Sequence, residues 1–340
     1  MSKADIVAAI LWVGVTMYTV FGGADFGGGM WDLLAGRGER GERARRLIDH
    51  SIAPVWEANH VWLIFVLVVL WTAFPTVFSA VMTTLYIPLA LAALGIVLRG
   101  SGFAFRHALP GPVREPATRV FGISSVLTPF FMGTVVGAVA SGEVPADGGG
   151  DPTASWTGVL PLLTGVMFVA LAAYVASVFL VRDAGAAGDR DLQRYFIQRA
   201  LAMAVIGGAA AVAGVFALHE HARYVYDGLT SWPGIALVIL SGICGLAALA
   251  LLVRGLTRGF GGGLDMFLLR PAAVGAVVTL VWGYFAAAFP YMLPTSLTIG
   301  DAAGDSAALT AVIVVFLIAA VLILPSIGLL YVLSQRSALE

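Results

Sequence analysis

Residues 60–99 read His60-VWLIFVLVVLWTAFPTVFSAVMTTLYIPLALAALGIVL-Arg99. Between that histidine and that arginine, 38 consecutive residues carry no charge. A membrane span needs about 20 mostly apolar residues, because every backbone group in lipid must find its partner inside the segment. The stretch is therefore long enough for two spans, and Pro75 in its middle marks a tight hairpin between them. The rest of the chain has the same character. Of 340 residues, 59% are hydrophobic and only 11% charged, against about 25% charged in a soluble globular chain. Too little polar surface exists to cover a water-soluble particle of this size.

Counting outward from that hairpin gives nine candidate spans, at about 6–26, 52–74, 77–98, 120–140, 158–181, 201–218, 233–252, 274–290 and 309–330. The fold class is all-α, a polytopic membrane protein, with residues 1–340 as a single integral membrane domain. Basic residues set the orientation. Of the 19 lysines and arginines, 17 fall in alternate loops and the C-terminal tail, and only Lys3 and Arg223 lie on the other side. This predicts an N-terminus outside and a C-terminus in the cytoplasm. The N-terminal apolar stretch lacks a basic leader and a small-residue cleavage site, so it reads as a retained helix.

Other function classes find little support. The net charge of −1 does not suggest a nucleic-acid partner. The single cysteine, Cys244, allows no internal disulfide and no C-x-x-C-H haem attachment. Gly261–Gly263 has no lysine and no Walker spacing, so it reads as a flexible turn. The segment 141–155, with Asp147, Asp151 and three glycines, reads as a flexible connector. The eight tryptophans mostly fall near span ends, as in an ordinary aromatic belt. Pro290 and Pro294 read as a helix stop followed by an external turn.

Ionisable groups within spans are costly and mark function by default. Three stand out: Asp25, at the expected end of the first span, and Glu57 and His60, near the start of the second. Glu57 and His60 are three residues apart and share a helix face. Burial raises a carboxyl pKa and imidazole titrates near neutrality, so such a cluster suits proton uptake. Structural readings stand beside this one. Asp25 can serve as a cap at a helix end, and Glu57 with His60 as a static hydrogen-bonded pair between helices. Gly23 and Gly27 have the small-xxx-small spacing of helices in close contact. Of five histidines only His60 lies in a span, and His219 and His221 read as solvated. A bis-histidine haem site needs two facing ligands, so the chain is expected to bind no haem or metal by itself.

Four segments resemble subunit II of cytochrome bd-type quinol oxidases. Gly23-Ala24-Asp25-Phe26-Gly27-Gly28-Gly29-Met30 is similar to that family's G-F-D-x-G-x-G-M. The stretch from His50 to Ile64, HSIAPVWEANHVWLI, resembles N-S-I-x-P-x-W-D-G-N-x-V-W-L-I. Leu98 to Arg106, LRGSGFAFR, resembles F-R-G-x-x-F-E-F-R, and Phe289 to Ile299 resembles F-P-x-x-L-P-S-x-L-T-I. The resemblance covers essentially the whole chain. It implies two four-helix bundles plus one peripheral helix, and a heterodimer with oxidase subunit I in a bacterial inner membrane. Subunit I would carry haem b, haem d, the quinol site and the oxygen-reducing centre. Subunit II would bind no haem, would hold at most a structural quinone, and would help deliver cytoplasmic protons. Small accessory subunits and membrane lipid are further possible partners.

By residue match Asp25 and Glu57 fall on the family's proton-pathway acids, with His60 beside them and Trp56, Asn59 and Arg99 as supporting residues. The chain departs from the pattern at four places. Gly22 and Ala104 replace acids, while His50 and His60 are additional imidazoles. His60 is expected to take over part of the lost proton-carrying capacity. Three functions stay open from the residues: an oxidase subunit, a proton-coupled transporter, and a purely structural scaffold. Transporters place polar groups near the bilayer midplane, whereas this cluster lies toward one face.

Overall fold

The computed structural model describes residues 2–108, 114–260 and 263–337. The side chains of 52–55, 57–58, 107–108, 114, 323–324 and 326–337 lie outside that description. Long helices dominate: α1 (Lys3–Leu33), α2 (Glu39–Ala73), α3 (Pro75–Thr84), α4 (Tyr86–Ala108), α5 (Arg114–Ala140), α6 (Ala154–Thr157), α7 (Val159–Ala186), α8 (Arg190–His221), α9 (Arg223–Thr230), α10 (Gly234–Arg258), α11 (Gly263–Ala288), α12 (Ile299–Ala302) and α13 (Ser306–Ser337). Between α11 and α12, β1 (Tyr291–Leu293) and β2 (Leu297–Thr298) pair antiparallel. The expected helix stop after Phe289 is thus there, and the turn beyond it is a small hairpin.

Among the described residues seven helices are long and apolar enough to cross a membrane, or eight if the bent pair Asn59–Ala73 and Pro75–Thr84 is one broken span. The described part of α13, Ser306–Leu322, is apolar but shorter. The polytopic all-α fold is as expected, and the count of nine stands as approximate.

The boundaries differ in three instructive places. The first span runs on past Phe26 to Leu33, because the glycines after Asp25 pack a helix and do not end it. A Cβ on Gly27 would lie 2.0 Å from the carbonyl oxygen of Ala172 in α7. The helix stops only before Gly36, whose φ of +77° favours glycine. The third expected span, 77–98, is split. The chain turns by 115° after Ala73, α3 closes at Leu85, and the span itself is α4. Two prolines account for this. Pro75 occupies the first turn of α3, where its missing N–H costs nothing. Pro88 cannot donate to the Thr84 carbonyl four residues back, so α3 cannot continue into α4. Finally, α2 begins at Glu39, well before residue 52. Ala44 and Ile48 are fully buried, so packing makes the basic stretch helical.

Helices α7, α8, α10 and α11 close one ring, α7 touching α8 and α11, and α10 touching α8 and α11. Helices α1, α2, α4 and α5 form a second group, joined to the first where α1 and α5 pack on α7. Helix α13 lies outside both, against α1 and α2, tied by Lys3 Nζ to Ser306 and Thr310 at 3.0 and 2.9 Å. The core lies along α1, α5 and α7. The outer helices α8, α10 and α11 keep most of their apolar surface exposed, as lipid contact allows. Segment 141–155 is not a loose connector: Val144 is buried, and the Ala146 amide donates to Ser296 Oγ in the hairpin at 3.0 Å.

Candidate functional site

A ladder of buried ion pairs joins α1 to α4. In the first rung Arg99 donates to Asp25 Oδ1 at 2.6 Å, with the two side chains 2% and 0% exposed. In the second, Arg106 donates to Asp32 Oδ2 at 2.9 Å, again with both side chains buried. Each rung joins residues 74 apart in sequence. Asp25 and Asp32 are two turns apart on α1, as Arg99 and Arg106 are on α4, so the rungs stand about 10 Å apart. Arg106 also bonds Asp49 on α2, whose side chain is partly exposed.

The ring of Phe121 in α5 lies between the rungs. The Arg99 and Arg106 guanidinium carbons stand 4.8 and 4.2 Å from its centroid. Each cation is thereby held against an aromatic face, which replaces part of its lost hydration. Arg99 is further fixed by Nε donating to Ser125 Oγ at 2.9 Å. That hydroxyl donates to the Phe121 carbonyl at 2.6 Å. Gly29 makes room for it, since a Cβ there would meet Ser125 Oγ at 2.1 Å.

Helix α2 supplies the third side. Asn59 Nδ2 donates to Asp25 Oδ2 at 3.1 Å, so both carboxylate oxygens are engaged. His60, one residue on, keeps Nδ1 2.8 Å from its own helix's Trp56 carbonyl and stacks edge-on against Trp56. Trp56 in turn stacks on Phe103 of α4 at 6.0 Å. Glu57 sits in α2, and its side chain lies outside the described residues. Around Asp25 the structure places Arg99 and Asn59 in direct contact, with Ser125 bonded to Arg99. Asp25 is not a helix-end cap, because α1 continues two turns beyond it.

Sequence reasoning assigned Arg99 and Arg106 to a cytoplasmic loop and so missed both rungs. It also passed over Asp32, Asp49, Ser125 and Phe121. Starting the third span at 77 ended it at Leu98, just before these arginines. One signal was available: the seven-residue spacing of Asp25 and Asp32 is repeated by Arg99 and Arg106.

A family model described as cytochrome bd terminal oxidase subunit II matches residues 3–334. The chain belongs to that family. It is 23% identical over 332 residues to a Bacillus subtilis (strain 168) protein named "Putative cytochrome bd menaquinol oxidase subunit II", covering 95% of this chain and 93% of that one. It is 33% identical over 109 residues to the cytochrome bd-I ubiquinol oxidase subunit 2 of Escherichia coli (strain K12), covering 31% and 28%. The fold matches the bd oxidase structure from Geobacillus thermodenitrificans with a TM-score of 0.76 at 24% identity, over 98% of both chains. The chain is thus a membrane-embedded component of a terminal oxidase and works with a subunit I. Membership decides against the transporter reading. Of the described histidines, His60 keeps Nδ1 on the Trp56 carbonyl, and His50, His219 and His221 are exposed.

Proposed function

We propose that this subunit carries protons from the cytoplasm toward an oxygen-reducing centre in subunit I, along a path that includes Asp25, Glu57 and His60. Subunit I would hold haem b and haem d and oxidise quinol, as the relatives' names suggest. The proposal includes a bacterial plasma membrane, an outside N-terminus and a cytoplasmic C-terminus. A structural quinone and small accessory subunits remain part of the wider proposal.

The observation that carries this reading is the run of buried polar contacts from Asp49 through Arg106 and Asp32, and then Arg99, Asp25 and Asn59. A lipid-embedded chain bears the cost of burying such groups only for a return in structure or function. Its outer end lies beside the basic start of α2, where protons would enter. Roles divide along the path. Asp25, with both oxygens engaged, is the electrostatic anchor that holds α1, α2 and α4 in register. Glu57 and His60, on the adjacent turn of α2, are the groups that load and pass the proton.

A purely structural scaffold is the second reading, favoured by the closed geometry of the Asp25–Arg99 pair. Turnover of the intact complex separates the two. Glu57→Gln is expected to slow quinol-driven oxygen consumption by at least about tenfold, a lower bound set beneath the roughly 10²–10⁴ that a positioned proton donor contributes. His60→Gln is expected to alter the pH dependence. Full turnover in both variants with an unchanged pH profile would leave the scaffold reading standing.

A further inference from the structure

Two guanidinium groups at the arginine-rich end have no acid to balance them among the described residues. Arg40, in the first turn of α2, and Arg199, in α8, both lie over the ring of Tyr195, with their guanidinium carbons 5.1 and 3.3 Å from its centroid. Arg199 also faces Trp31 near the end of α1, at 5.5 Å. Among the described residues neither arginine pairs with a carboxylate. The two aspartates at the start of α8 are already engaged: Asp189 and Asp191 both accept from Arg43, one turn along α2, at 2.7 and 2.6 Å. Glu39 and Glu42 flank Arg40 in sequence without bonding either arginine.

Hydrogen bonding is incomplete at the same point. Nη1 of Arg199 donates to the Tyr195 carbonyl at 3.3 Å, but among the described residues its Nε and the Tyr195 hydroxyl are buried without a partner, and Tyr195 is 5% exposed. A buried donor left unmade is costly, more so on a charged group. Two neighbouring cations add repulsion. An anion with several acceptor oxygens would relieve both, since the planar guanidinium fork matches phosphate oxygens.

We propose that Arg40, Arg199 and Tyr195 bind a phosphate group, and that it belongs to the headgroup of an anionic phospholipid. Arg199 is followed directly by the uncharged run 200–218. The site therefore stands at the end of a span, at the level of lipid headgroups. Basic pockets at this level are where anionic headgroups are recognised.

The test uses the intact two-subunit complex in phosphatidylcholine nanodiscs with graded phosphatidylglycerol, and bound phosphatidylglycerol is read by native mass spectrometry. A basic residue near the surface contributes about 1 kcal/mol, or about fivefold in affinity. Arg40→Gln should weaken binding about fivefold, and Arg40→Gln/Arg199→Gln roughly 25-fold. Arg37→Gln, whose partner is Glu115, should leave binding unchanged. Arg40 is exposed, so its single variant keeps the test open if the double variant does not assemble. Competition by millimolar inorganic phosphate, lost in the Arg40→Gln variant, would retain the site but overturn the lipid as its occupant. Phosphatidylglycerol binding within twofold of wild type in both variants, with no phosphate competition, would overturn the site.

Discussion

Replacing Arg99 with methionine removes the cation from the first rung while keeping much of its volume. Asp25 is then left fully buried with Asn59 Nδ2 as its remaining partner, and Ser125 Oγ loses its donor. Breaking a buried pair by deleting one partner costs about 3–5 kcal/mol, because the other charge stays behind. An unfolding entropy of about 2.1 cal/mol/K per residue over 340 residues amounts to about 0.7 kcal/mol/K. A loss of about 4 kcal/mol therefore lowers the melting temperature by roughly 6 °C. Asp25→Asn should cost a similar amount, since it strands Arg99. The double variant Asp25→Asn/Arg99→Met strands neither, and should melt within about 2 °C of wild type. The assay is tryptophan fluorescence during slow heating of the purified complex, at one scan rate throughout. If the two single losses add in the double variant, or if Arg99→Met melts like wild type, the buried-pair reasoning is wrong.

Contrasts elsewhere separate packing from charge. Gly27→Ala drives a methyl into the α7 backbone at Ala172 and should cost about 3 kcal/mol, seen as lower yield of assembled complex. Gly100→Ala, in α4 with nothing within 4 Å of the new carbon, should be neutral or raise the melting temperature slightly, as alanine favours a helix by about 1 kcal/mol. Phe121→Leu withdraws the ring from between two guanidinium groups and should cost roughly 2 kcal/mol, with a smaller loss when Arg99→Met is already present. Arg43→Gln breaks two pairs that are partly in water. It should cost less than about 1 kcal/mol, and the difference should shrink as salt is raised.

Much of the fold was legible because lipid simplifies the code. Apolar run length and the alternation of arginines locate most helices without any knowledge of their packing. Asp25 was legible for the same reason, as a lone acid in an apolar run, and so were the close-packing glycines around it. Its pairing with Arg99 was not, although the resemblance names Arg99 as a supporting residue. The sequence reading takes Pro75 as the break and passes over Pro88, which lies in the first turn of α4. Choosing Pro75 left Arg99 and Arg106 outside the membrane helix and hid the ladder. The role of Phe121 was out of reach, because an aromatic residue in a span has no sequence mark that separates a lipid-facing ring from one between two cations. Asn59 was noticed only as part of a motif, although it is the α2 residue that bonds Asp25. His60 turns instead to its own helix.

Proton uptake itself gives the most direct test of the proposed path. The complex is reconstituted in vesicles, reduced with quinol and mixed with oxygen, while a pH dye on the cytoplasmic side and the haem absorbance are followed together. Glu57→Gln is expected to slow proton uptake at least about tenfold while quinol still reduces the haems at the wild-type rate. Wild-type proton uptake in that variant, with haem reduction intact, would mean that protons reach the oxygen-reducing centre without this subunit's acids.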